Sequence, residues 1–238
     1  MCAARASVYT DVVVVVAQAG VHERRRVLAW GLGMSGALWL GRAHSEEARQ
    51  VLLVPLGAVP AVEVEVVERA LRSFYAIDVR THERVSLPKR AYYPSRGHYR
   101  EERLLTELEK LADASAFRVL GLLNVDISTT KGSIADWGIL GLATIDGRVG
   151  VLSSFRCRRG AKGPAQVAER LGKTAVHELG HTFGLEHCPH AGCVMEDGKG
   201  SVLTSDREYD LCDGCRARLA QSNLLRVPRV SPPWPKPE

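Results

Sequence analysis

Apolar residues recur with two different periods along the chain, and these periods predict strands that alternate with helices. Val51 to Val54 is a short apolar run closed by Pro55 and Gly57, which is typical of a buried strand. The following segment spaces its apolar residues three and four positions apart, as one face of a helix requires. That predicted stripe consists of Val62, Val66, Val67, Ala70, Leu71 and Phe74. Ile77 to Arg80 predicts a second strand.

The middle of the chain continues this alternation and then predicts a hairpin. Leu87 to His98 carries two prolines and two tyrosines among several cations, which favours a loop. Leu104, Leu105, Leu108 and Leu111 mark a second amphipathic helix. We expect three strands, at Phe117–Val125, Ile139–Ile145 and Val149–Phe155, the first apolar enough to lie inside a sheet. Asp146-Gly147 between the last two is a strong hairpin signal.

The last third predicts one long helix followed by an irregular region. The helix runs from Pro164, a residue suited to a first turn, to about Phe183. A short helix is expected near Asp213 to Leu225, and the tail from Ser231 to Glu238, with four prolines, is expected to be extended and mobile. The pattern favours an α/β (α+β) fold: a mixed, twisted sheet with packed helices and a smaller, irregular C-terminal part.

The first fifty residues form an extension whose role the sequence leaves open. Val12 to Val16 predicts a buried strand. The apolar run from Val27 to Gly41 is shorter than the roughly 20 residues that span a bilayer, so we expect no stable membrane span. Residues 24–43, which consist of three arginines followed by this apolar run, also resemble a secretory signal.

We divide the chain into an extension (1–50), a domain (51–230) and a Pro-rich tail (231–238).

Composition restricts the class of protein without naming a function. Apolar residues make up 45% and charged residues 25% of the 238, which excludes a mostly disordered or collagen-like chain. The net charge of +5 is scattered and aromatic residues are only 6%, so we do not expect a nucleic-acid partner. We expect a monomer.

Residues 177–187 read His-Glu-Leu-Gly-His-Thr-Phe-Gly-Leu-Glu-His. On a helix His177 and His181 share a face, so two imidazoles can hold one zinc ion. Gly184 permits a sharp turn that returns His187 as a third ligand. Three protein ligands leave a position open, which is typical of a catalytic site. Glu178, beside the metal, is then the candidate general base that activates a zinc-bound water.

Four cysteines follow the histidines closely: Cys188, Cys193, Cys212 and Cys215. Two pairs separated by 18 residues fit a tetrahedral structural zinc site with four thiolates. Two alternatives remain open, namely two disulfides in an oxidising compartment and a zinc ribbon that binds nucleic acid. Thiolates on zinc favour a reducing cytoplasm, whereas export through residues 24–43 would favour disulfides.

The string from His177 to Cys215 resembles the archaemetzincins, a family of metzincin-clan zinc peptidases. The resemblance implies catalytic zinc ligands at His177, His181 and His187, a general base at Glu178 and a Met-turn at Met195, eight residues after His187. It also implies a second zinc on the four cysteines, and hence two zinc ions. One departure is the gap between Met195 and Cys212, which holds 16 residues, one fewer than the family pattern. The resemblance spans about residues 51–225.

The leading hypothesis is a zinc metallopeptidase that acts on peptides or proteins. In the metzincin layout an extended peptide adds to an edge strand, here expected within Ile139 to Ile145. Tyr209 is expected to be structural. The alternatives are a non-catalytic zinc module that binds a protein and a zinc hydrolase of a non-peptide amide. The sequence does not distinguish an aminopeptidase from an endopeptidase and names no substrate.

Overall fold

A computed structural model describes residues 49–113 and 115–237. The strand expected at Val12–Val16 and the signal-like segment 24–43 lie outside the described residues. The described residues form five α-helices, namely α1 (Ala61–Phe74), α2 (Glu101–Leu111), α3 (Pro164–Thr182), α4 (Val202–Arg207) and α5 (Asp213–Gln221). The strands are β1 (Gln50–Pro55), β2 (Asp78–Thr81), β3 (Tyr92–Tyr93), β4 (His98–Arg100), β5 (Arg118–Leu123), β6 (Ile127–Lys131), β7 (Ile134–Ile139), β8 (Gly141–Ala143) and β9 (Val149–Ser153).

A five-stranded mixed sheet with the order β2-β1-β5-β9-β8 forms the centre of the domain. Its first four strands are parallel, and β8 pairs antiparallel with β9 at one edge. The predicted hairpin is confirmed, and Asp146 turns it with a φ of +52°. The predicted strand 139–145 is divided, because β7 ends at Ile139 and β8 begins at Gly141. The edge strand expected in this segment is β8.

Helices cover both faces of the sheet, and the alternation of β1 explains why. Val51 and Leu53 point into the core shared with α1 and α3, whereas Leu52 and Val54 point into the core shared with α2. A strand buried on both faces has no polar positions to alternate with its apolar ones. All four side chains are 1% exposed or less. This continuous burial is what the short apolar run predicted.

A second sheet of four strands, with the order β3-β4-β6-β7, corrects the prediction for residues 87–98. That segment is not only a loop, because a 3-10 turn at Lys89–Ala91 leads into β3 and β4, which pair with each other. Strands β6 and β7 were not predicted at all. Their side chains are polar or half-exposed over most of their length, so neither strand carries an apolar period.

The C-terminal part is irregular, as predicted, and contains two short helices. The predicted helix at 213–225 is α5, which ends at Gln221. Helix α4 was not predicted; it begins after Ser201, whose side chain accepts a hydrogen bond from the Leu203 amide. In the described part of the chain, none of the helices combines the length and the apolar character that crossing a bilayer requires.

In its described residues, 231–237, the tail has no helix or strand, as predicted, but it packs against the domain through Trp234. This indole is 7% exposed and stacks on Phe74 of α1, with ring centroids 5.4 Å apart. Its Nε1–H donates to the Tyr209 carbonyl at 2.7 Å. The ring also lies over Gly172 of α3, where a Cβ would come within 3.0 Å of it. Trp234 therefore joins the tail to α1, α3 and the C-terminal part.

We predict that Trp234→Ala lowers the free energy of unfolding by about 3–5 kcal/mol, because it empties a site filled by a large buried ring. Lys236→Ala, an exposed change two residues away, should alter it by less than about 0.5 kcal/mol. Urea denaturation followed by circular dichroism measures both values. Equal stability of the two variants would show that the tail contributes nothing to the fold.

Candidate metal centre and active site

Three histidines meet at the C-terminal end of α3. His177 and His181 lie one turn apart on the helix, and their Nε2 atoms are 3.0 Å from each other. The helix ends after Thr182, and Gly184 turns the chain with a φ of +83°, a conformation that favours glycine. The turn brings His187 back, so that one ring nitrogen from each histidine lies within 4.8 Å of the other two.

Backbone carbonyls orient the two helix histidines. The Nδ1 atom of His177 lies 2.7 Å from the Val194 carbonyl, and that of His181 lies 2.7 Å from the Leu185 carbonyl. A carbonyl can only accept, so each Nδ1 carries the proton and each Nε2 keeps a free lone pair. These two Nε2 atoms lie 3.0 Å apart, in the cluster that His187 completes. This is the arrangement that a metal-binding histidine needs.

Burial keeps these imidazoles neutral. It lowers the pKa of His177 to about 3, helped by the neighbouring His181, and it lowers the pKa of His181 to about 4. At neutral pH both side chains are therefore uncharged in the metal-free protein. A neutral imidazole offers its lone pair to a metal without first releasing a proton.

Met195 is fully buried and packs against α3 at Gly180, between His177 and His181. Its contact with α3 depends on Gly180, because a Cβ there would come within 2.6 Å of the Met195 sulfur. The Met195 carbonyl accepts from the Cys188 amide at 2.7 Å, which fixes the turn that carries it. The preceding carbonyl, of Val194, is the one that orients His177. The Met-containing turn and the histidine site are thus one packed unit.

Glu178 projects from α3 toward the edge strand β8. The side chain is 5% exposed, and burial raises its pKa well above the usual value, with a further contribution from the nearby charge of Glu101. It lies flat against Gly141, where a Cβ would come within 2.6 Å of Oε1 and Cγ. The sequence analysis did not single out Gly141 or Glu101, because neither belongs to a motif with fixed spacing.

The four cysteines form a second cluster beside the histidines. Their sulfur atoms lie within 4.8 Å of one another. The closest pairs are Cys188–Cys212 at 3.6 Å and Cys193–Cys215 at 3.9 Å, both much longer than the roughly 2.05 Å of a disulfide bond. Backbone amides also point at the sulfurs, for example from Cys212 to Cys193 at 3.4 Å. All four thiols are free, which suits a metal site better than the disulfide alternative.

Two buried cations hold α3 against the C-terminal part. Arg170 makes a bidentate ion pair with Asp206 of α4, at 2.6 and 2.7 Å, and also donates to the Cys157 carbonyl. Lys173 is fully buried and donates to the Ser205 carbonyl at 2.8 Å. These contacts fix the half of the helix that precedes the histidines.

Comparison with known proteins identifies the family of this chain. The family model of "Peptidase family M54" matches residues 60–221. The chain belongs to peptidase family M54. An archaemetzincin of Haloquadratum walsbyi is 32% identical over 174 residues, covering 70% of this chain and 97% of the relative. The archaemetzincin of Pyrococcus abyssi is 33% identical over 186 residues, covering 74% of this chain and 96% of the relative. The crystal structure of archaemetzincin from Methanopyrus kandleri is similar, with a TM-score of 0.64 and 32% sequence identity. The match covers 76% of this chain and 98% of that chain.

Membership of the M54 family confirms the resemblance drawn from the sequence. The protein is a zinc metallopeptidase of the archaemetzincin type, with the α/β fold of those enzymes. Its substrates are peptides or proteins. In the described residues, two clusters could hold a metal ion, one of three histidines and one of four cysteines. Both lie within the segment from His177 to Cys215 that carries the sequence motifs.

We predict that Gly141→Ala lowers kcat by at least about tenfold, because the new methyl group displaces Glu178, and small displacements at a reacting centre are costly. Zinc content should not change, since the histidines are untouched. Gly163→Ala is the matched control, because a Cβ there meets no atom within 4 Å. Steady-state kinetics and metal analysis measure the two effects. Full activity of Gly141→Ala would show that the position of Glu178 is unimportant.

Proposed function

We propose that His177, His181 and His187 hold the catalytic zinc ion and that Glu178 is the general base. The observation that carries this proposal is that one ring nitrogen from each histidine lies within 4.8 Å of the other two, while backbone carbonyls bind the Nδ1 atoms of His177 and His181. Three imidazoles are a donor set that suits zinc and leaves a coordination position for water or substrate. The site residues therefore fit the metal that the family uses.

Zinc in this position supplies Lewis-acid chemistry, which polarises the scissile carbonyl and makes water acidic near neutral pH. Glu178 accepts a proton from the attacking water and delivers it to the amine that leaves. Its burial supports this role, because a carboxylate with little solvation is a stronger base than one in water. Met195 supports the site from below and does not take part in proton transfer.

The edge strand β8 is the surface that we propose for the peptide backbone. Its antiparallel neighbour β9 occupies one side, and in the described residues its other side has no strand partner within the five-stranded sheet. An extended peptide can therefore pair with β8 by strand addition. Gly141 lies on β8 against Glu178, so a peptide bound there passes in front of the general base.

The four cysteines are proposed to hold a second, structural zinc ion. A closed shell of four thiolates leaves no position for water, so this metal contributes to folding and not to hydrolysis. The cluster joins the residues that follow the histidine turn to the start of α5. We therefore expect two zinc ions per chain.

Digestion of a peptide library, read by mass spectrometry, tests the catalytic proposal. We expect the wild-type protein to cleave peptides and Glu178→Ala to lose about 100-fold or more of that activity while keeping its zinc, because general base catalysis is removed. The cut positions separate removal of terminal residues from internal cleavage. Hydrolysis that persists in Glu178→Ala would contradict the proposed base. No cleavage by either protein would favour the binding module or a non-peptide amide substrate.

Removal of one thiolate tests the structural site. Cys212→Ser should reduce bound zinc from two ions to one and lower the unfolding temperature, since an incomplete shell binds the metal weakly. Cys157→Ala, at a buried cysteine outside the cluster, serves as the control and should keep both ions. Unchanged zinc content and stability in Cys212→Ser would exclude a structural metal at the cysteines.

A further inference from the structure

A cavity of about 660 Å³ lies beside the C-terminal tail. Its walls come from α1, from the first half of α3 and from residues 233–237 of the tail. None of its lining residues belongs to the histidine cluster or the cysteine cluster. Small-molecule sites in proteins occupy about 300–1,000 Å³, so this cavity has the size of a site for a small ligand.

The walls of this tail cavity are largely apolar. The apolar side of the lining includes Val66, Ala70, Ala168, Gly172 and Trp234. The Trp234 ring is fixed in the wall, because it stacks on Phe74 and its indole N–H donates to the Tyr209 carbonyl. An apolar wall that is already formed favours a ligand with an apolar body, since their contact removes both surfaces from water.

Three cations line the same cavity, namely Arg69, Lys162 and Lys236. All three are exposed, so they lie where the cavity opens to solvent. In the part of the chain that the structure describes, none of them forms an ion pair, although ion pairs are present close by at Arg170 and Lys173. The mouth of the cavity therefore carries three positive charges that no carboxylate compensates.

The two acidic residues of the lining, Glu169 and Asp206, do not offset these charges. Asp206 accepts from Arg170 at 2.6 and 2.7 Å, and Glu169 accepts from the buried Lys173 at 2.6 Å. Neither Arg170 nor Lys173 lines the cavity. Each acid is thus neutralised from behind the wall, and the charge presented to a ligand is positive, which attracts anions.

We propose that the tail cavity binds a small amphiphilic anion, a molecule with an acidic head on a short apolar body. The body packs against the wall that contains Trp234, and the head lies at the mouth among Arg69, Lys162 and Lys236. An inorganic anion leaves the wall uncovered and a neutral apolar molecule leaves the cations without a partner, so only an amphiphilic anion uses both features. The site contains no proposed zinc ligand, and the proposal is independent of peptide hydrolysis.

Isothermal titration calorimetry on the zinc-loaded protein tests the class of ligand. The probe is octanesulfonate, compared with octanol, which has the same body without a charge, and with inorganic sulfate, which has a similar head without the body. We expect one saturable site for octanesulfonate, at least tenfold tighter than for either comparison compound. Equal affinity for octanesulfonate and one of the other two, or no saturable binding of octanesulfonate, would overturn the proposal.

Removal of charge tests whether the three cations are responsible. One triple variant carries Arg69→Gln, Lys162→Gln and Lys236→Gln. The control triple variant removes the same net charge at exposed cations outside the cavity, through Lys89→Gln, Lys110→Gln and Arg226→Gln. We expect the first variant to bind octanesulfonate at least tenfold more weakly and the control to stay within about twofold of the wild type. Equal weakening in both would show general attraction by the net charge and overturn the site.

The indole N–H of Trp234 reports where the probe binds. Its nuclear magnetic resonance signal, in protein with ¹⁵N-labelled tryptophan, is assigned by its loss in Trp234→Phe. Octanesulfonate should shift this signal and leave that of Trp137, which does not line the cavity, unchanged. A shift of the Trp137 signal alone would place the probe elsewhere and overturn the proposal. Absence of peptide hydrolysis would refute the proposed function and leave this result unaffected.

Discussion

Two hydrogen bonds from histidine rings to backbone carbonyls determine the rest of this site. They decide which nitrogen of His177 and His181 carries the proton, and therefore which nitrogen is free. One acceptor, the Val194 carbonyl, precedes Met195, and the other, the Leu185 carbonyl, follows the turn at Gly184. The histidine orientation thus depends on both the Met-containing turn and the end of α3. Any change that moves either segment reaches the metal site through these two carbonyls.

The fold supplies the rigidity that such an arrangement requires. Helix α3 is buried along most of its length between the sheet, α1 and the C-terminal part. Two glycines of α3 allow close packing because they have no side chain. The Met195 sulfur packs against Gly180, and the Trp234 ring packs against Gly172. The ion pair between Arg170 and Asp206 adds a specific attachment point near its middle. His177, His181 and Glu178 therefore stand on an element that is packed closely on several sides.

Much of this could be predicted from sequence, because the informative signals were local. The apolar run of β1, the stripe of α1 and the spaced histidines of α3 each lie within a short stretch of chain. Strands β6 and β7 could not be found this way, because their half-exposed polar residues carry no period. The role of Trp234 was missed for a related reason, since one aromatic residue among prolines does not reveal its partner.

The surroundings of Glu178 were beyond sequence reasoning for a different reason. Gly141 lies 37 residues before it, and only the fold brings β8 against α3. A motif identifies the groups that bind a metal, whereas the groups that position a base are identified by burial and contact.

Zinc X-ray absorption on the purified protein, combined with metal analysis, tests the central claim most directly. The account predicts two zinc ions per chain, with half of the ligand shell made of nitrogen or oxygen at about 2.0–2.1 Å and half of sulfur at about 2.3 Å. Substitution of His181 by alanine should remove the nitrogen-rich half and leave the sulfur shell. One zinc ion per chain with sulfur ligands alone would contradict a catalytic metal on the three histidines.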